Sequence, residues 1–155
     1  LRFISDYKFT IAFENNKMYG YTTEKLEDPL AAHSVPIYWG NPNVFNSFNK
    51  DAFIYCDGIE DDFDNVADKI IEQVVHLDTH DDDYIKMVRT PWNNPDYDVN
   101  LAKQELEDFL ISIISRGNHP YEKDALGFSK KMSIPDLSSK ELVVKLLSKM
   151  KYIFR

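Results

Sequence analysis

One cysteine, Cys56, in 155 residues leaves no disulfide framework and no cysteine-built zinc site to consider. It sits in the strand-like run "AFIYCDG" and is expected to be a buried, inert thiol. Glycine is also scarce, at five residues. Neither GxGxxG nor GxxxxGK[ST] occurs, so the glycine-rich phosphate loops of dehydrogenases and ATPases are excluded. No apolar run approaches the roughly 20 residues that a membrane-crossing helix needs. The first residues lack the charged, apolar and small-residue succession of a secretory leader. The chain opens at Leu1 rather than Met, which reads as a piece of a longer protein. Positive charge is short overall, with 18 Lys+Arg against 26 Asp+Glu and a net charge of −8. The shortage is uneven. Residues 1–129 hold 11 basic and 24 acidic side chains, whereas residues 130–155 hold 7 and 2. The acidic body repels nucleic acid. An anionic ligand would have to be held by local devices acting against that field.

What is present is the alternation of an α/β domain. Hydrophobic residues make up 43% of the chain and aromatics 14%, enough for a core in a domain of ordinary size. "YKFTIAF" (Tyr7 to Phe13) is rich in aromatic and β-branched residues and reads as a buried strand. "ENNKMYGY" follows as a loop. Thr22 or Thr23 offers an N-cap for a helix running to about His33, in which Pro29 is awkward. "VPIYWG" and "DAFIYCDG" (Asp51 to Gly58) read as the second and third strands. Phe63, Val66, Ile70, Val74 and Leu77 recur at helical spacing in the next segment. "DDDYIKMVRT" predicts a shorter helix stopped by Pro91, and "VNLAKQELEDFLISIISR" a longer one ended by Gly117. The order predicts an α/β layer with a mainly parallel sheet over residues 1–116. Residues 117–155 are expected to form a linker, Gly117 to Pro135, and then a basic amphipathic helix. Leu142, Leu146, Met150 and Ile153 line one face of that helix. Either it caps the core, or it lies on an anionic membrane surface or a partner.

Ligands of open α/β sheets bind beyond the carboxyl ends of the strands, which is where "ENNKMYGYTTEK" falls. A helix opening near Thr23 would turn several free N–H groups and its positive dipole end toward the loop. Lys25 adds a full charge, so the two together suit a diphosphate. Glu24, an acceptor when ionised, suits sugar hydroxyls. Tyr21, Tyr19 and Asn15 offer rings and hydrogen bonds. On these grounds alone, a capped helix with solvated charges is the favoured reading.

The same residues carry a resemblance. Phe13-Glu14-Asn15, then Tyr21-Thr22-Thr23-Glu24-Lys25, then Val35-Pro36-Ile37-Tyr38-Trp39-Gly40 resemble the donor-binding motif of the α-1,3/1,4-fucosyltransferases. The resemblance covers about residues 5–115. It implies a Rossmann-like three-layer domain, the C-terminal half of a two-Rossmann (GT-B) glycosyltransferase that moves L-fucose from GDP-fucose to an N-acetylglucosamine or glucose hydroxyl with inversion. It implies that Lys25 contacts the diphosphate and that Glu24 binds the donor and steadies charge on the fucose ring. Asn15 and Tyr21 fall on donor-contacting positions, and Glu14 on a structural or cleft-edge one. Thr22 stands where the family commonly has valine. The general base and an arginine for the diphosphate would come from an acceptor-binding half before Leu1, so the fragment is expected to bind donor weakly and to be inactive alone. No cofactor and no metal are implied. Two other readings stay open: a donor domain for another GDP- or UDP-sugar, and a non-catalytic α/β domain docking through its basic tail.

The remaining candidates read as structural. His76 and His80, four apart, could share a helix face as metal ligands do, but the helix is expected to break near Thr79. His33 suits a helix C-terminus. Trp39 and Trp92 suit core or edge packing, with Trp39 near the expected cleft. The lack of paired cysteines and the lysine-rich tail incline toward a bacterial cytoplasmic protein, peripheral on the inner membrane face, over a Golgi lumenal one.

Overall fold

The computed structural model describes residues 1–116 and 139–151. Three strands, β1 (Phe9–Phe13), β2 (Val35–Trp39) and β3 (Ile54–Tyr55), form one sheet in the order β1-β2-β3. Both pairings are parallel. Phe9 to Phe13 lie opposite Val35 to Trp39, and Ile37 and Tyr38 opposite Ile54 and Tyr55. All five β2 residues are buried, as a central strand covered on both faces requires. Pro36 is tolerated there because Val35 bonds toward β1 and Tyr38 toward β3. The missing Pro36 N–H therefore lies on the β3 side, ahead of the first β3 residue.

Side-chain alternation splits the interior in two. Ala12, Tyr38 and Phe53 meet Leu26 of α1 (Glu24–Ala31) on one face. Phe13, Val35, Ile37, Trp39 and Ile54 meet Ala67, Ile70, Ile71, Val74 and Leu77 of α2 (Phe63–Thr79) on the other. The helical spacing read from the sequence is therefore the buried stripe of α2, with Phe63 and Val66 only half-buried at its start. Asp62 caps α2 by accepting from the Asn65 amide. Helix α3 (Asp81–Arg89) follows directly, the break falling at His80.

The third strand is shorter than expected. Residues Lys50–Ala52 form a 3-10 turn, capped by the Asn49 side chain on the Asp51 amide. Competition from that local hydrogen bond removes Asp51 and Ala52 from the strand. Helix α4 (Val99–Ser115) buries none of its residues. Helix α5 (Ser139–Met150) sets Leu142 and Leu146 into the α2 face of the core, so its apolar stripe caps the domain. Its Lys149 pairs with Asp64 and Asp68 of α2. Ile153 and the expected linker lie outside the described residues.

The first helix shows how a β-α-β connection is closed. Pro29 sits inside α1, where it is buried and cannot donate to the Lys25 carbonyl one turn back. After the C-cap Ala32, His33 adopts φ 58°. The His33 amide returns to the Leu30 carbonyl at 3.2 Å, and the Ser34 amide to the Pro29 carbonyl at 3.0 Å. This is the pair of reverse bonds of a Schellman ending, with histidine in the position usually held by glycine. The helix ends two residues earlier than the sequence pattern predicts, and the chain turns straight into β2.

Candidate functional site

The parallel register puts the carboxyl ends of all three strands on one edge. The loop 14–23 leaves β1 there and delivers the chain to α1. Its two ends are joined by Glu14, which is fully buried. The Glu14 carboxylate accepts the Thr23 amide at 2.8 Å and the Thr23 hydroxyl at 2.8 Å. Gly40 makes this possible. A Cβ at position 40 would lie 2.4 Å from the Glu14 Cγ and 2.8 Å from the Tyr38 hydroxyl.

Asn41, next in the chain and also buried, holds the middle of the loop. Its Oδ1 accepts the Gly20 amide at 2.9 Å, and its Nδ2 donates to the Thr22 hydroxyl at 3.0 Å. Gly20 has φ 73°, a conformation that L side chains rarely adopt. The Tyr38 hydroxyl accepts the Asn41 amide, and burial pushes its pKa above the ordinary phenol value.

Of the four candidate donor residues, Asn15 and Lys25 are in direct contact. The Lys25 ammonium donates to Asn15 Oδ1 at 2.9 Å, across the mouth of the loop. Glu24 is exposed in the first turn of α1 and has no partner among the described residues. Tyr21, also exposed, lies three residues before it in the chain. The expectation of several free N–H groups at the helix start is corrected. Thr23 is the N-cap, its amide goes to Glu14, the Lys25 amide to Thr23 Oγ1, and the Leu26 amide to the Thr23 carbonyl. Among the described residues only the Glu24 amide of these is left over. Charge at this edge therefore comes chiefly from the Lys25 side chain, whose hydrogen-bond partner among the described residues, Asn15, is neutral.

A second cluster lies on the same edge. Lys17, on the loop, pairs with Glu60, which lies between β3 and α2. Glu60 also accepts the Trp39 indole N–H at 3.0 Å. Burial alone would raise the Glu60 pKa; the bonds from Lys17 and Trp39 outweigh it and hold the carboxyl below its ordinary 4.5. Trp39 is otherwise core, 4% exposed and packed on Phe13.

Sequence reasoning named Asn15, Tyr21, Glu24, Lys25 and a structural Glu14. It missed Asn41, Lys17 and Glu60. The Gly-Asn dipeptide at 40–41 was a legible turn signal, whereas nothing in the sequence joins Lys17 to a glutamate 43 residues away.

The other candidates fall elsewhere. His76 Nε2 lies 2.8 Å from Asp83 Oδ2, and the His76 and His80 rings stack with centroids 4.2 Å apart. Among the described residues no group of three or more His, Cys, Asp and Glu is arranged to hold a metal ion. A cleft of about 530 Å³ lies beside that pair, between α2, α3 and Lys50–Phe53, and no candidate donor residue lines it. Burial pushes the Cys56 thiol pKa up, which keeps the thiol protonated and inert. Trp92 stacks on Phe48 at 6.2 Å at the edge of the second core.

A parallel sheet whose carboxyl edge carries a braced loop, a capped helix and a lysine with no anionic partner among the described residues defines a Rossmann-like α/β domain. The sequence profile of "Glycosyltransferase family 10 (fucosyltransferase) C-term" matches residues 1–115, and the chain belongs to that family. It is 37% identical over 117 residues to the alpha-(1,3)-fucosyltransferase FucT of Helicobacter pylori, covering 72% of this chain and 23% of that protein. It is 30% identical over 105 residues to the GDP-fucose protein O-fucosyltransferase 3 of Danio rerio, covering 66% of this chain and 22% of that one. A crystal structure of an alpha1,3-fucosyltransferase aligns with TM-score 0.50 and 41% identity, over 60% of this chain and 24% of that chain. The chain spans about a fifth of the length of the curated relatives it matches.

Proposed function

We propose that this chain is the donor-binding half of an inverting fucosyltransferase that uses GDP-fucose, with an α-1,3 linkage to a glycan N-acetylglucosamine or glucose hydroxyl. The observation that carries the reading is the Lys25–Asn15 contact at the carboxyl edge of a parallel sheet, in a chain of the fucosyltransferase family. Lys25 contacts the diphosphate, where an ammonium stabilises the charge that builds as GDP departs. Its charge makes a resident metal unnecessary in this scheme. Glu24, uncommitted and one residue away, faces the fucose and steadies an oxocarbenium-like ring. Tyr21 and Asn15 complete the donor contacts. The general base and the acceptor site belong to a part of the enzyme outside this chain, so the 155 residues bind donor and turn nothing over.

The names of two relatives support the donor and the linkage. One is a GDP-fucose-dependent enzyme and another an alpha-(1,3)-fucosyltransferase. The test is calorimetric titration of the chain with GDP, GDP-fucose and UDP. GDP and GDP-fucose are expected to bind, UDP to bind at least about tenfold more weakly, and Lys25→Ala to remove most of the GDP affinity. Equal binding of UDP, or GDP affinity that ignores Lys25→Ala, overturns the reading.

A further inference from the structure

We propose that Lys17 and Glu60 are positioning residues for donor binding. They form a partly buried clasp that fixes the loop between β1 and α1 before the donor arrives. The inference rests on the donor-binding reading above.

Surface ion pairs are common and contribute little, but this one is not on the surface. The Lys17 and Glu60 side chains are 13% and 8% exposed. Glu60 is locked from behind by the Trp39 indole, and Trp39 is itself core. The carboxylate is thus presented at a fixed place on the sheet edge, and the lysine reaches it from the loop. The pair ties residue 17 to residue 60, the outer loop to the β3–α2 turn.

The loop has other ties among the described residues, and none does the same work. Glu14–Thr23 joins its ends, Asn41–Gly20 holds its second half, and Asn15–Lys25 is itself the proposed binding contact. The stretch from Asn16 to Met18 is anchored by Lys17. Without that anchor, the residues flanking it would be ordered only when donor binds, and the ordering would subtract from affinity. Lys17 is not a second diphosphate lysine in this arrangement, because its charge is committed to Glu60.

The test compares Lys17→Met, Glu60→Gln, the double variant and Lys17→Arg with the unaltered chain. Glu60→Gln keeps an acceptor for the Trp39 N–H and removes only the charge. Two readouts are taken: GDP affinity, and amide hydrogen exchange at Gly20 and Tyr21 against Ile11 and Ile37. Each single variant is expected to weaken GDP by about three- to tenfold. Loop exchange should rise by at least about tenfold while the strand amides hold. The double variant should be no worse than the poorer single one, because both remove one interaction. Lys17→Arg should restore most of the affinity. Unchanged affinity and loop exchange in Lys17→Met overturn the inference, and so does a rise in exchange spread equally through β1 and β2. GDP binding that is lost in Lys25→Ala but kept in Lys17→Met sinks the clasp and leaves the donor reading standing. No GDP binding by the unaltered chain sinks both.

Discussion

The Glu14 carboxylate receives both the amide and the hydroxyl of Thr23, nine residues on, and so closes the loop between β1 and α1 at its base. The Thr23 hydroxyl in turn accepts from the Lys25 amide. A buried acid thus orients the N-cap of the helix that carries Glu24 and Lys25. Replacing Glu14 by alanine leaves the Thr23 amide without its acceptor in a partly buried setting. Loss of about 2–3 kcal/mol of stability is expected in urea denaturation. An unchanged midpoint would show that water replaces the carboxylate.

Gly40 is the space in which that carboxylate lies. Gly40→Ala puts a methyl group 2.4 Å from the Glu14 Cγ and is expected to cost about 1–3 kcal/mol by overpacking. The two sites are coupled. In a Glu14→Ala background, Gly40→Ala should cost clearly less, and a double-mutant cycle reads the difference. Strict additivity would place the clash on the Tyr38 hydroxyl instead.

Asn15 accepts from the Lys25 ammonium by its side-chain oxygen, beside the proposed diphosphate position. Asn15→Asp changes that neutral partner to an anion at the same place. It is expected to weaken GDP more than Asn15→Ala does, because it both pairs with Lys25 and repels phosphate. Titration at one ionic strength decides it; the opposite order would show that Asn15 acts only on the sugar or base.

Glu60 gives the fold an acid-sensitive contact. Its folded-state pKa lies below 4.5, so on acidification the unfolded chain takes up the proton first. The stability supplied by the Lys17 and Trp39 bonds is complete above the ordinary carboxyl value. It is lost as pH falls through the depressed one. Urea midpoints measured from about pH 6 to about pH 3 should fall less steeply in Glu60→Gln than in the unaltered chain. Parallel slopes would remove Glu60 from the acid response.

His33 occupies a left-handed position at φ 58°. Its side chain is exposed, while its carbonyl accepts from the Tyr84 hydroxyl through the backbone. His33→Gly keeps that carbonyl and relieves the strain. A gain of about 0.5–1 kcal/mol is expected in the same denaturation assay. A loss would mean that the imidazole contributes more at the helix end than the backbone gains.

Much of this was legible because it is periodic or adjacent in the chain. The α2 stripe at Ile70, Val74 and Leu77, the aromatic β1 and the Thr23 cap all follow from local pattern. Asn15 and Lys25, ten residues apart, were singled out through a motif resemblance, and the fold brings them into contact. The failures were places where a local bond beat the pattern. Asn49 capping Asp51 shortened β3, and the left-handed His33 ended α1 early. The ties made by Asn41 and Glu60 were invisible for a different reason. Each joins polar residues that look like ordinary loop chemistry until the sheet brings their strand ends side by side.

The neutralisation of Lys17 by Glu60 also has an electrical consequence. Among the described residues two lysines, Lys17 and Lys25, lie on the carboxyl edge of the sheet, and of these Lys25 alone has no acidic partner, in a chain of net charge −8. Added salt screens the long-range repulsion between this acidic body and a nucleotide diphosphate within a Debye length of about 8 Å near physiological strength. It weakens the short contact with Lys25 as well. The two effects oppose each other, so GDP affinity should vary little with ionic strength. The proposed nucleotide contact would then be held by placement rather than by field.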